Sequence, residues 1–249
     1  MRVAREGLPI VGAMLVATAL CATAAWLASA VAGAVIAGAG LILTGWGVWF
    51  FRDPERRVPG GGAAASGVDE FISPADGRVI KIDRATLPAE IGAEHAGEVF
   101  QRVAIFLNLF DVHVNRVPAT GRVLRVAYVP GRFFNASMDK ASEHNERSAA
   151  LMIDDRGRRI GFVQIAGLVA WRIVNHLREG QRVTIGERFG LIRFGSRAEV
   201  YFPEGVEVAV KVGDRVRAGE SVLARAPVAP VGAVAGGREA SSAGVGARA

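Results

Sequence analysis

From residue 8 to residue 51 the chain carries no Asp, Glu, Lys or Arg, and no other feature limits its folding as sharply. One helix over those 44 residues would reach about 66 Å at about 1.5 Å per residue, against a hydrocarbon layer of about 30 Å. That is too long for one crossing and right for two. The pattern predicts a two-helix hairpin within residues 1–57, reversing among the small residues from Ala28 to Gly33. Arg2 and Arg5 precede the run, and Arg52, Arg56 and Arg57 follow it. By the positive-inside rule both ends belong in the cytoplasm. Trp46, Trp49, Phe50 and Phe51 fall where an aromatic belt would sit. A signal peptide has an apolar core of only about 7–15 residues, much shorter than this run. The expected location is therefore the cell membrane, with the rest of the chain on the cytoplasmic side.

Composition removes several classes. A single cysteine, Cys21, excludes a disulfide scaffold and a cysteine zinc site. The other metal ligands offer no set either: His95, His113, His144 and His176 show no ligand spacing, so no metal is expected. The net charge of +6 comes from 30 basic and 24 acidic residues. The arginines are scattered rather than clustered with aromatics, which argues against nucleic acid and for an anionic membrane surface as partner.

Behind the hairpin, residues 58–67 are rich in Gly and Ala and read as a flexible linker. Residues 227–249 read as a disordered tail of Ala, Gly, Ser, Val and Pro. Between them, residues 68–226 form the expected catalytic domain. Short Val-, Ile- and Phe-rich runs recur at 78–82, 99–107, 122–129, 159–165, 182–185, 190–194, 199–202, 206–210 and 221–224. Turn signals such as Asp76-Gly77, Pro130-Gly131 and Gly213-Asp214 separate many of them, which predicts a mainly β, barrel-sandwich-like antiparallel domain. Residues 167–177 fit a helix or a buried strand about equally. The stretch 210–220 resembles one half of biotinyl and lipoyl barrel-sandwich domains. The Met-Lys-Met tip that carries their cofactor is missing, so the likeness extends to fold and not to carrier function.

Two clusters can carry chemistry. In Asp111-Val112-His113-Val114-Asn115-Arg116, a strand would place Asp111, His113 and Asn115 on one face. The same alternation also suits a half-buried strand with a polar face and no chemistry. The second cluster surrounds Gly195-Ser196, the one Gly-Ser step in the chain. Glycine leaves its carbonyl open and tolerates strained backbone. A following serine hydroxyl can attack that carbonyl and turn the peptide into an ester. β-Elimination then leaves dehydroalanine, which hydrolyses to a pyruvoyl group and ammonia. A base near the hydroxyl and donors near the oxyanion are required.

The motifs Phe51-Arg52-Asp53-Pro54, Ser73-Pro74-Ala75-Asp76-Gly77, Asp111–Arg116, Lys140-Ala141-Ser142-Glu143, Asn145-Glu146-Arg147, Gln164-Ile165-Ala166-Gly167 and the stretch 189–196 occur in order around that step. In this the chain resembles the short, archaeal-type subclass of pyruvoyl-dependent phosphatidylserine decarboxylase proenzymes. The resemblance implies self-cleavage between Gly195 and Ser196, giving a membrane-bound β chain of residues 1–195 and an α chain of residues 196–249. The two stay together as a heterodimer. The cofactor implied is a covalent pyruvoyl group made from Ser196. It would form a Schiff base with the amine of phosphatidylserine, draw off the electrons left by departing CO2, and yield phosphatidylethanolamine.

The family roles carry over unevenly. Asp76 matches the aspartate of the family's Asp-His-Ser self-cleavage triad. His113 matches the first histidine of an Asp-x-His-x-x-His pattern, and Arg116 replaces the second, the usual self-cleavage base. Either His113 serves both maturation and turnover, or Asp76 or His144 supplies the base. Arg116 and Asn115 remain as substrate-binding candidates, Arg116 because a guanidinium grips phosphate or carboxylate in two places. Two other classes fit the bare residues. One is a membrane-tethered β adaptor with an intact chain. The other is a hydrolase using Ser196, His113 and Asp76 as a triad. On the sequence alone, a chain lacking residues 1–51 is expected to cleave normally, since the Gly-Ser step lies in the β domain.

Overall fold

The computed structural model describes residues 2–59, 68–131, 144–167, 172–193 and 195–228. The expected linker and tail lie almost wholly outside those residues, as do Lys140-Ala141-Ser142-Glu143, Phe194 and positions 168–171 of the ambiguous segment.

Two helices, α1 (Leu8–Ala28) and α2 (Ala30–Phe50), account for the uncharged run. The reversal falls at Ser29, whose backbone is extended (φ −159°, ψ 123°). Its hydroxyl accepts the N–H of Ala32 and caps α2. Gly33, Gly40 and Gly47, seven residues apart, form a seam on α2. A β-carbon on Gly33 would meet Trp26 at 2.7 Å, one on Gly40 would meet Thr18 at 2.3 Å, and one on Gly47 would meet Met14 at 3.1 Å. Lipid gives helices no hydrophobic reason to associate, so such close backbone approach is what holds a pair together. Mean hydropathy is 2.0 over Arg5–Ala28 and 1.8 over Ala30–Phe50, and only 6% and 17% of these windows are buried in the protein. Leu15, Leu20, Leu27, Val31, Ile42 and Leu43 stand exposed. Each helix is about 30 Å long, the thickness of the hydrocarbon layer. This hairpin is compatible with membrane association.

The remaining elements include strands, one short α-helix and the 3-10 helices Arg5–Gly7 and Ala93–His95, and among the described residues strand outweighs helix 40% to 27%. In chain order the strands are β1 (Arg2–Val3), β2 (Arg52–Asp53), β3 (Val68–Ile72), β4 (Gly77–Ala85), β5 (Phe100–Leu107), β6 (Val114–Arg116), β7 (Gly121–Val129) and β8 (Arg147–Asp154). They continue as β9 (Arg159–Ile165), β10 (Ile173–Asn175), β11 (Arg182–Val183), β12 (Arg188–Ile192), β13 (Ser196–Phe202), β14 (Glu207–Val208), β15 (Arg215–Val216) and β16 (Val222–Pro227). A curled antiparallel sheet of order β11-β7-β8-β9-β13-β5-β4-β15 forms the body, flanked by the sheets β10-β12-β6 and β14-β16-β3. The expectation of a mainly β antiparallel domain behind two apolar helices is met.

The concave side of the large sheet buries Val103, Ile105, Met152, Phe162, Val200 and Phe202. The other side buries Leu151, Val163, Ile165 and Tyr201 under Leu87 and Ile91, the latter from the short helix α3 (Ala89–Gly92). Strand β13 is therefore buried at all seven positions. Strand β8 was not among the expected runs. Its Ser-Ala-Ala-Leu-Met core favours helix by intrinsic preference, and burial between β7 and β9 overrides that preference. Within residues 167–177, Ile173–Asn175 is strand, and the other described positions are neither helix nor strand.

The hairpin is bolted to this domain rather than merely tethered. Phe50, Phe51, Ala4 and Val11 share a buried cluster with Val112, Val114 and Leu191. Asp53 takes Arg188 at 2.6 Å and Arg116 at 3.4 Å. Arg56 donates to Asp76 and to Glu220, each at 2.8 Å. Arg52 lies over the Trp49 ring at 3.9 Å and donates to the Phe110 carbonyl at 2.6 Å. The Phe51-Arg52-Asp53-Pro54 motif is thus the latch between helices and sheet.

Candidate active site

Two connections run side by side between the large sheet and the sheet β10-β12-β6. One leaves β5 at Leu107, turns through Asn108–Asp111 and reaches His113. The other leaves β12 at Ile192 and enters β13 at Ser196. They are tied at both ends: Ser196 is paired with Leu107, and the Ile192 N–H meets the His113 carbonyl at 3.3 Å. The topology therefore sets His113 beside the Gly195-Ser196 step. Gly195 has φ +59°, the left-handed region that favours glycine, with no neighbouring atom within 4 Å of its β-carbon position. The Ser196 hydroxyl is buried with no hydrogen-bond partner.

His113 is fully buried, and its ring lies against Phe50 with centroids 4.3 Å apart. Its Nδ1 is 3.0 Å from the Asp111 carbonyl. A carbonyl only accepts, so Nδ1 carries the proton and Nε2 is left as a lone-pair base. That Nε2 is buried without a partner. Burial, aided by the positive charge of Arg52, pushes the imidazole pKa down to about 4 despite the Asp111 bond. His113 is therefore neutral at pH 7. The fold thus holds the imidazole as a neutral base at rest.

Gln164 stands on β9 opposite Ala198, which puts it diagonal to Ser196 on the same face. A chain of bonds fixes its amide. Asn115 Nδ2 donates to the Pro74 carbonyl at 3.3 Å, so Asn115 Oδ1 faces Gln164 and accepts its Nε2 at 2.9 Å. The same Nε2 lies 3.3 Å from the Val174 carbonyl. Gln164 Oε1 is left as a buried acceptor without a donor. Asn145 donates to the carbonyl of Ala166, the residue that continues the β9 register opposite Ser196, at 2.7 Å. Gln164 and Asn145 were visible only as parts of motifs, because their roles depend on cross-strand neighbours.

Among the described residues, every buried side-chain polar atom without a hydrogen-bond partner belongs to His113, Gln164, Arg193, Ser196 or Arg197. Ser196 belongs to the Gly-Ser step, and the strand register sets His113 and Gln164 beside it. Arg197 does have an ionic contact, 2.7 Å from Glu199 Oε1, on the face turned away from Ser196. Folded proteins leave few such atoms, and groups of them mark reactive sites.

The other candidates sit differently. Asp76 is buried, its Oδ2 on Arg56 and its Oδ1 on the Ala218 N–H, each at 2.8 Å. Burial raises its pKa, and Arg56 opposes that rise. No hydrogen bond joins it to His113, whose orienting partner is the Asp111 backbone. A hydrolase triad of Ser196, His113 and Asp76 lacks that link. Arg116 donates to the carbonyls of Gly186 and Pro54, each at 2.9 Å, besides Asp53. Asn115 is committed to Pro74 and Gln164. His144 is exposed. Among the described residues no three His, Cys, Asp or Glu side chains gather as a metal site.

A family model described as phosphatidylserine decarboxylase matches residues 43–224. A phosphatidylserine decarboxylase proenzyme of Rickettsia bellii is 50% identical over 185 residues, covering 74% of this chain and 77% of its own length. One of Rickettsia akari has the same identity and coverage. One of Beijerinckia indica is 47% identical over 221 residues, 88% of this chain and 87% of its own.

Proposed function

The chain belongs to the phosphatidylserine decarboxylase family, which are carboxy-lyases made as proenzymes, and from that premise we propose that it matures by cleaving itself between Gly195 and Ser196. The observation that carries this reading is the gathering of unpartnered buried groups around the one Gly-Ser step. In maturation His113 Nε2 takes the proton of the Ser196 hydroxyl, and the oxygen attacks the Gly195 carbonyl. The left-handed, uncrowded backbone at Gly195 favours this attack. The ester that results eliminates the Gly195 carboxylate and leaves dehydroalanine at 196, which hydrolyses to pyruvoyl and ammonia. The products are a β chain of residues 1–195 and an α chain of residues 196–249, held together by the pairing of β13 with β5 and β9.

The residues fit a pyruvoyl group at position 196: the position is buried, beside an orphaned imidazole nitrogen and near a fixed amide oxygen. Such a group supplies a carbonyl that binds the amine of phosphatidylserine and accepts the electron pair released with CO2. His113, neutral at rest, holds the proton needed at the substrate carbon once it has taken one up. Gln164 Oε1, fixed as an acceptor, orients the nitrogen of the bound amine. Asp76 shapes the site through Arg56 and the backbone of Ala218 rather than through His113. Arg116, which stands where the family's longer members have a histidine, supports a reading of the chain as a short-subclass member, and it ties the latch at Asp53.

The hairpin holds the site at a membrane, with the N-terminus and β domain both on the cytoplasmic side, as the flanking arginines favour. Intact-mass measurement of the purified protein tests the reading. Two chains meeting at 195/196, the smaller with a blocked N-terminus, are expected. An active protein of one uncleaved chain overturns it.

A further inference from the structure

Resting on that reading, the structure assigns a second element of the substrate site: Arg193 and Arg172 as the grip for the phosphodiester of the lipid headgroup. Strands β10 and β12 pair Ile173 with Ile192, Val174 with Leu191 and Asn175 with Gly190. One further step of this register sets Arg172 directly opposite Arg193, and the Arg193 N–H meets the Arg172 carbonyl at 3.4 Å. Two like charges directly opposite each other on adjacent strands are destabilising unless something negative lies between them.

Among the described residues no carboxylate pairs with either arginine through a hydrogen bond or ion pair. Glu6 faces Arg193 from the hairpin base, but its Oε1 is taken by His176 Nε2 at 2.7 Å. Glu146, beside the start of β10, accepts the Ile173 N–H at 3.4 Å. Arg56, Arg116 and Arg188, by contrast, each have a carboxylate partner. Arg193 Nε is buried with no acceptor. Burial and the nearby charge of Arg172 lower its pKa, and Glu6 offsets them only in part.

The location suits a lipid phosphate. Arg193 is three residues before Ser196. It directly follows β12, two residues after Leu191, which shares a buried cluster with Phe50 and Phe51 at the base of the hairpin. A phosphate there would lie between the reacting carbon and the membrane. The other anion of the substrate, its carboxylate, is the wrong ligand. A guanidinium on that group would stabilise the ground state and lose its hold as neutral CO2 forms, which opposes the reaction. Two guanidinium groups match the oxygens of one phosphodiester.

The test uses the full-length protein in mixed micelles, with cleavage verified by mass. Two substrates are compared: phosphatidylserine, and an O-alkyl serine that keeps the amine and carboxylate but lacks phosphate. Arg193→Gln and Arg172→Gln are each expected to raise KM for phosphatidylserine roughly ten- to a hundredfold, with a smaller change in kcat. KM for the O-alkyl serine should stay within about twofold. Arg172 lies on another strand from the Gly-Ser step, so its variant decides the matter if Arg193→Gln fails to mature. Unchanged KM for phosphatidylserine in the cleaved variants, or an equal rise for both substrates, overturns the assignment. In the wild type, inorganic phosphate should compete with phosphatidylserine. Non-competitive inhibition would assign the pair to free phosphate and overturn the lipid assignment. A wild-type chain that does not cleave would overturn the underlying reading and this inference with it.

Discussion

Two groups of buried polar side chains lie on either side of β6, and they are built on opposite principles. On the latch side, Asp53 is shared by Arg116 and Arg188, and Arg56 by Asp76 and Glu220. Each charge there has a counter-charge. On the other side, Ser196, His113, Gln164 and Arg193 each keep a buried atom without a partner. Burying a polar group without a hydrogen bond is costly, typically about 1–3 kcal/mol. The first group therefore holds the hairpin to the sheet. The second reduces stability, a cost that the proposed self-cleavage and decarboxylation would account for. Site candidates offered by the sequence divide between these groups: Ser196 and His113 with the unpartnered side, Asp76 and Arg116 with the latch.

Replacing Ser196 gives the largest effect. Ser196→Ala should abolish cleavage and decarboxylation together, read as a single 249-residue chain by mass. Its thermal midpoint should equal or exceed that of a slow-cleaving proenzyme, because an orphaned hydroxyl has been removed. A clear loss of stability would place Ser196 among the paired groups instead. Next is His113→Ala. It should slow maturation, and in whatever protein does mature it should lower kcat by roughly two to four orders of magnitude, the usual range for a general acid or base. Normal cleavage would move the maturation base elsewhere, with His144→Ala and Asp76→Asn as the following variants.

The paired side should respond in the reverse way. Asp53→Ala leaves Arg116 without its carboxylate and Arg188 with Glu55 alone. Breaking a buried pair costs about 3–5 kcal/mol, and the lower end applies here because Arg188 is a third exposed. The thermal midpoint in detergent should fall markedly, while kcat of the cleaved protein stays within a few-fold. A large drop in kcat with unchanged stability would erase the distinction between the two groups.

How far these groups could be read in the sequence depends on the range of the interactions that define them. The hairpin was legible because an uncharged run needs no partner to be recognised, and its reversal at Ser29 falls inside the expected window. The Gly-Ser step was legible because its chemistry is local. Strand β8 was not, since Ala149, Ala150, Leu151 and Met152 are strand only because they are buried on both faces. Asp76 was legible as a motif member, but Arg56 and Ala218, the groups that decide its role, lie 20 and 142 positions away. Arg193 and Gln164 gain their meaning only from the register of β12 with β10 and of β9 with β13. The contact of Phe50 with His113 was the least legible feature, because nothing local in the sequence announces it.

That contact supports the smallest and most specific prediction. Burial lowers the His113 pKa from its ordinary 6.5 to about 4. The unfolded chain therefore binds a proton between those values that the folded chain refuses. Stability attributable to this group is complete above about pH 6.5 and is lost as pH falls toward 4, by at most about 3 kcal/mol. Phe50 supplies much of the cover. Phe50→Leu keeps an apolar side chain but removes the stacked ring, admitting water to one face of the imidazole. The pKa should then rise by roughly one unit, equivalent to about 1.4 kcal/mol, and the loss of stability between pH 6.5 and 4 should shrink by that amount. The Ser196→Ala background keeps the chain intact, so the imidazole can be titrated by NMR without cleavage during the measurement. A raised pKa in Phe50→Leu would make the last turn of α2 part of the catalytic apparatus. Deleting residues 1–51 would then disturb the base as well as the attachment. An unchanged titration would return the hairpin to the role of a tether and show that Val112, Val114 and Leu191 keep His113 dry on their own.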